Sequence, residues 1–504
     1  MKSWRTTWWY TKAFAQKYRK ILILGTVIGI LAVWLFPRVL VLLPQQKTTQ
    51  YIGRVGLYSW LEIPQDIQQK VSAGLTSVNE TGKAVPTLAE RWSVEEDGRV
   101  FRFLLKEGLQ WQDGRTLQPE DIQYNFADVQ IVHTENEVVF RLADAYAPFP
   151  VVVSQPLYRQ VQERRFGFVK RTRIIGLGEY EVIDLKYNGP YVRQLIIESD
   201  DERLVYRFYA TQQEALTAFR AGRVDTLEGL HDVSELNERE QAYFSLDSQI
   251  NPRHYVAIFF NTADPNLVKE MRQALHYATR KPDANDERLR ALSPIAPTSW
   301  AYNATEEVSA FSYDLERAIE LYEGVQSPQP LNLTLDSTVD LLDEAQLIAQ
   351  DWESLGQEAI LRCQAGEIES FGGGPATEID AGSDTTSTAS AAPVATETDP
   401  CQNYAINVDT RLVRDIRDVQ AVLLARELPD DPDQYTWWHS NQSANISNYQ
   451  NPRVDKLLED ARKETDQQRR KVMYLEFQRY LVDDVPAMFL YYVNEYTLER
   501  PNWF

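Results

Sequence analysis

Polar and apolar positions along this chain alternate in blocks that predict short strands and amphipathic helices in turn. Between two Asp-Gly pairs, Asp97-Gly98 and Asp113-Gly114, the residues Phe101, Phe103 and Leu105 are apolar, while Arg102 and Lys106 are polar. That period-two pattern between turn signals predicts a hairpin arm with one buried face. Pro119-Glu120-Asp121 predicts a helix start, with proline at a first helical position and acids at the positive end of the dipole. Upstream, residues 51–60 predict an opening strand, and Ile67, Val71 and Leu75 a helical spacing. Residues 138–142 predict another strand, and Gly176 and Gly178 a tight turn between strands rather than a phosphate loop, since no helix start follows them.

The second half of the chain repeats the mixture. Residues 211–220 predict a helix with Ala215, Ala218 and Phe219 on one face, ended by Gly222 before a strand at Val224. Residues 255–260 predict a strand closed by Asn261, after which Val268, Met271, Ala274, Leu275 and Ala278 fall on one helical face. Tyr313-Asp314 starts a further helix. Asn451-Pro452 caps one lined by Val454, Leu457, Leu458 and Ala461, and Asp466 opens one with Met473, Phe477, Tyr480 and Leu481 inward. Pro486 leads into an aromatic strand over 489–493. Strands alternating with helices imply an α/β fold, and 504 residues exceed one core.

The N-terminal end follows other rules. Residues 1–20 form a basic tail without an acid, residues 21–36 are an uncharged apolar run, and 39–43 extend it past Arg38. A span needs roughly 20 residues, so 21–43 predicts one transmembrane helix, with the N-terminus cytoplasmic by the positive-inside rule and the body extracytoplasmic. The competing reading is a cleaved signal peptide, against which stands the lack of a small-x-small site after the run. The first 47 residues hold 8 basic residues and no acid, which leaves the body with a net charge of about −29. Such a body repels nucleic acid and anionic lipid.

Cys363 and Cys401, the only cysteines, flank a Gly-, Ser-, Thr-, Ala- and Asp-rich insert over 367–400 with no apolar periodicity. In an exported body the pair suggests a disulfide; two unpaired buried thiols are the alternative. No catalytic motif is present: no Walker loop, HExxH, GxSxG or CxxC. The five histidines, His133, His231, His254, His276 and His439, lie scattered without ligand spacing, so neither a metal nor a cofactor is expected.

The order Val85-Pro86-Thr87-Leu88-Ala89-Glu90-Arg91-Trp92, Asp97-Gly98, strand, Gly108-Leu109-Gln110-Trp111-Gln112-Asp113-Gly114, then a proline-acid helix start, resembles the signature of the family 5 extracellular solute-binding proteins. These are peptide- and nickel-binding receptors of ABC importers. The later elements resemble the family in the same order: Ile175-Gly176-Leu177-Gly178-Glu179-Tyr180, Gly222-Arg223-Val224-Asp225, Met271-Arg272-Gln273-Ala274-Leu275, Tyr313-Asp314 and Asn451-Pro452.

The resemblance implies a periplasmic-binding-protein type II-like fold of two lobes with an extra domain. Lobe I would take 51–75, 174–262 and 484–504, the extra domain 76–173, and lobe II 263–483 with its insert. It also implies a receptor that binds a peptide-like solute between the lobes and delivers it to an ABC permease, here held at the membrane by the helix expected over 21–43 in place of the lipoprotein tether common in the family. A ligand sensor or chaperone on the same fold without transport is the alternative, and an exported hydrolase is disfavoured. The aromatic and amide-rich segment from Asp430 to Tyr449 suits a stacking cleft. The candidate ligand residues are Tyr435, Trp437, Trp438, His439, Asn445, Tyr491 and Tyr492, although Trp437 and Trp438 also suit a packed corner. One departure stands out: peptide-binding members place an aspartate three residues before the aspartate-proline-aspartate unit, where this chain has Leu428, preceded by Glu427.

Overall fold

The computed structural model describes residues 47–165, 169–281, 289–304, 311–325, 330–368 and 399–501, with a few positions between 8 and 24. All of the predicted span over 21–43 except Leu24, and nearly all of the insert over 367–400, lie outside the described residues. Among the described residues, no helix is long and apolar enough to cross a membrane.

Strand β1 (Thr48–Val55) starts and stops earlier than the 51–60 expected. Gly56, at φ +136°, turns the chain out of the sheet, and the Tyr58 hydroxyl donates back to the Val55 carbonyl at 2.9 Å. A helix (Gln65–Val71) then buries Ile67 and Val71. The extra domain follows: a ribbon of β2 (Thr76–Val78) and β3 (Ala84–Pro86), then β4 (Ala89–Glu95) and β5 (Val100–Leu105) around the Asp97-Gly98 turn, and the pair β6 (Val129–His133) and β7 (Glu137–Leu142). Phe101, Phe103 and Leu105 face inward as the alternation requires.

The helix expected at Pro119 is one 3₁₀ turn (Pro119–Asp121). The Asp121 carboxylate folds back to accept the Gln118 N–H at 3.0 Å and the Trp111 indole N–H at 3.3 Å, and Ile122 turns extended to bury itself completely. Tertiary burial overrides the local start signal here.

A ribbon of β8 (Arg159–Arg165) and β9 (Val169–Ile175) returns the chain to lobe I. Gly176 and Gly178 are required there by close approach: a side chain on either would collide with the carbonyls of Val71 and Lys70. Gln112 ties the extra domain to the same point, donating to the carbonyls of Val71, Gly178 and Tyr180 at 3.1, 3.0 and 2.8 Å.

Lobe I continues through β10 (Glu181–Asn188), β11 (Tyr191–Glu198), β12 (Glu202–Tyr209), a helix (Gln212–Arg220) capped by Thr211, and β13 (Thr226–Leu230). Strand β14 (Ser245–Phe260) leaves for lobe II, which contains β15 (Leu331–Ser337), a long helix (Leu342–Ala365), β16 (Ile406–Leu412) and β17 (Ala421–Glu427). The helices Lys269–Ala278, Leu315–Gly324, Pro452–Lys463 and Gln467–Asp484 cover its sheet, and β18 (Ala487–Glu499) closes it. Cys363, at the end of the long helix, is joined to Cys401 by a disulfide across the base of the insert.

All the lobe strands form one ten-stranded sheet in the order β10-β11-β12-β1-β13-β18-β14-β17-β15-β16. At its centre lie the two strands that end the segments expected for lobe I, 174–262 and 484–504. Residues 245–250 of β14 pair with 494–499 of β18 beside lobe I, whereas 255–259 pair with 487–492 inside the core of lobe II. The two strands therefore span both lobes, and the register breaks between Ile250 and Tyr255. Residues 245–254 went unpredicted as strand because Ser, Asp, Gln, Asn and Pro dominate them.

Candidate ligand cleft between the lobes

Arg253 sits in the register break, where the two lobes and the extra domain converge. Asn251 accepts its backbone N–H at 3.0 Å. Its guanidinium donates to the Leu428 carbonyl at 3.0 and 3.3 Å and to the Asp430 carboxylate, with Glu427 at 3.7 Å. About a third of the side chain stays exposed. On one side a cavity of about 310 Å³ is lined by Gln65 and Asp66 of lobe I, Asn79 and Glu80 of the extra domain, and Pro294 and Ser299 of lobe II. On the other a cavity of about 540 Å³ runs past Tyr146, Pro429, Trp437 and Arg462.

The acids of the Asp430–Asp433 stretch are each matched to a different arginine. Asp430 meets Arg253, Asp431 accepts a bidentate pair from buried Arg470, and Asp433 accepts from Arg462 Nε at 2.9 Å. Asp433 also caps its own turn, accepting the Tyr435 N–H at 3.1 Å. Leu428 is buried where peptide-binding members carry an aspartate, and the carboxylates that line the two cavities besides the Asp430–Asp433 stretch are Asp66 and Glu80 in the smaller and Glu427 in the larger. Across the cleft, Asp66 and Glu228 flank Arg54 at 2.9 and 3.3 Å. Burial pushes the Glu228 carboxyl above the usual range, against the pull of Arg54.

The seven predicted ligand residues separate. Trp437 lines the larger cavity and packs against the Arg426 guanidinium, 3.6 Å from its ring centre. Tyr435 is half-buried, with Arg462 over its ring at 4.4 Å. Trp438 is 2% exposed and stacks on Phe259 in the core of lobe II, presenting no surface to the cleft in this conformation.

His439 is buried as well. It accepts the Asn441 N–H on Nδ1 at 3.1 Å, so Nε2 carries the proton that faces Glu459 at 3.2 Å. Asn445 locks its own loop, with Oδ1 accepting from the Tyr449 N–H at 3.2 Å and Nδ2 donating to the Tyr449 carbonyl at 2.9 Å. Tyr491 donates to Glu344, and Tyr492 is 1% exposed with no hydrogen-bond partner for its hydroxyl among the described residues. Arg253, Arg426 and Arg462 carry little local signal in the sequence: a charge beside an aromatic or a turn, which many solvated residues share.

The model of the bacterial extracellular solute-binding proteins, family 5, matches residues 83–134 and 130–384 of this chain. The chain belongs to this family. Family 5 proteins bind solutes rather than transform them, and their folded bodies lie outside the cytoplasm. Among relatives, the nickel-binding periplasmic protein of Escherichia coli (strain K12) is 24% identical over 389 residues, 65% of this chain and 72% of the relative. The oligopeptide-binding protein AppA of Bacillus subtilis (strain 168) is 21% identical over 526 residues, 90% of this chain and 88% of the relative. In solved structures, AppA from Bacillus subtilis in complex with a nonapeptide superposes with a TM-score of 0.61 at 18% identity, covering 91% of this chain and 95% of that one. NikZ from Campylobacter jejuni in complex with Ni(L-His) gives 0.63 at 18%, covering 90% and 94%. This likeness carries the type II-like binding-protein fold.

Proposed function

We propose that this family 5 protein is a membrane-anchored receptor that takes up a peptide-like solute in the cleft at Arg253 and delivers it to an ABC permease. The observation that carries the reading is the meeting of two cavities at one arginine, walled by both lobes and the extra domain. An extended solute laid along them meets a partly free guanidinium at its centre and an aromatic ring, Trp437, along one arm. The solute is oriented by an acidic group at Arg253. Opening and closing about the register break of β14 and β18 would bury it. A relative named for oligopeptides aligns over nearly the whole chain, which supports the peptide reading. The apolar segment 21–43 anchors the protein, with its N-terminus inside.

Native mass spectrometry of the full-length protein released from detergent should show a retained peptide-mass ligand. Arg253→Ala should lose it while melting within a few degrees of the wild type. Purified protein that carries no ligand and binds none of a set of di- to nonapeptides in calorimetry would refute the peptide assignment.

A further inference from the structure

The fold gathers two of the scattered histidines at one point. His231 follows β13 in lobe I, His254 lies in the register break of β14, and Glu495 stands on β18. One donor atom from each lies within 4.8 Å of the other two. The pairing of Leu230 with Tyr496 carries His231 past Glu495, and the two imidazoles meet edge to face at 5.6 Å between centres. Asn251 donates to Glu495 Oε1 at 2.7 Å, which steadies the carboxylate and leaves Oε2 available. Such a second contact orients a ligand group.

The other histidines are engaged differently. His133 bonds the Ile122 carbonyl, His439 is held by Glu459 and Asn441, and His276 is buried against Phe311. The ring nitrogens of His231 and His254 make no hydrogen bond to a described residue.

We infer that His231, His254 and Glu495 bind a divalent transition metal ion of the zinc and nickel class at the joint between the lobes. Two imidazoles and a carboxylate suit such borderline ions, with a position left for water. Metal–ligand bonds of about 2.1 Å put donors at most about 4.2 Å apart, so small side-chain rotations complete the site. His231 is exposed, which opens the site to ions from solvent. Neither cavity beside Arg253 is lined by these three residues.

Equilibrium dialysis of untagged, EDTA-stripped full-length protein against Ni2+ or Zn2+ tests the site. One equivalent should bind to the wild type and to a His133→Asn control, with affinity falling at least tenfold in His231→Ala, His254→Ala and Glu495→Gln. Co2+ loading should give ligand-field absorption that weakens in the same three variants. Should His254→Ala misfold, the exposed His231→Ala decides alone. Failure of the wild type to take up one equivalent, or unchanged affinity in His231→Ala, would overturn the assignment. Peptide binding at Arg253 would stand in either case.

Discussion

Replacing Trp438 and Trp437 separately by alanine should divide two roles that neighbouring indoles seem to share in sequence. Trp438 is 2% exposed, sandwiched by Phe259 at 6.0 Å and Phe489 at 6.4 Å between centres. A buried aromatic hides some 150–250 Å², worth about 4–6 kcal/mol at about 25 cal/mol per Å² before relaxation. Measured losses for such truncations run to about 3–5 kcal/mol, and Trp438→Ala belongs in that range. Trp437 is only half-buried, and its principal partner is the Arg426 guanidinium. Removing it forfeits a cation–π contact of about 0.5–2 kcal/mol and little core volume.

Calorimetry and urea unfolding followed by far-ultraviolet dichroism, each run beside solute binding, read both quantities. The expected pattern is a destabilised Trp438 variant whose folded fraction binds normally, and a stable Trp437 variant whose affinity falls about 5- to 150-fold, from losses of about 1–3 kcal/mol. Equal destabilisation of the two, or a Trp438 variant within about 1 kcal/mol of the wild type, would refute this division of labour.

Breaking the Cys363–Cys401 bond by double serine substitution should lower stability by about 4 kcal/mol, from the loop entropy of its 38-residue separation, as chemical denaturation would register. Deleting residues 369–398 with both cysteines kept should leave the melting transition and solute affinity in place; loss of the transition would make the insert part of the core. His276 is buried, both ring nitrogens lack a partner among the described residues, and burial beside Lys281 and Arg290 holds its pKa well below the usual range. The unfolded chain therefore takes up a proton near pH 6.5 that the folded chain refuses, so stability falls as pH drops from 7 to 5. His276→Leu should flatten that slope, and identical slopes in the two proteins would count against it.

What the sequence disclosed was local. N-caps at Thr211, Asp314, Asn451 and Asp466 accept backbone N–H groups within three residues, so four helices could be started from their first side chains. The Phe101–Leu105 alternation and the Gly176–Gly178 turn were equally legible. What failed was decided by chain segments far apart. The polar half of β14 is a strand only because β18 returns some 240 residues later to pair with it. Pro119 opens no helix because Asp121 is drawn to Trp111, and Trp438 and Asn445 look like cleft residues until the sheet beneath them is known. His231 and His254 are 23 positions apart with no motif between them, and only the turn into β14 makes them neighbours.

The placement of Arg253 at the break in the two crossing strands bears on the timing of solute capture. Points near a pivot travel least when two bodies swing about it, so Arg253 would present nearly the same face to an arriving solute in the open and closed forms. Gln65 on lobe I and Asn79 on the extra domain also line the smaller cavity but stand on segments away from the break, and would sweep through a longer arc. First contact would then be made at the pivot and dwell time set at the rim. Stopped-flow traces should accordingly show Arg253 substitutions slowing arrival, and Gln65 or Asn79 substitutions hastening departure.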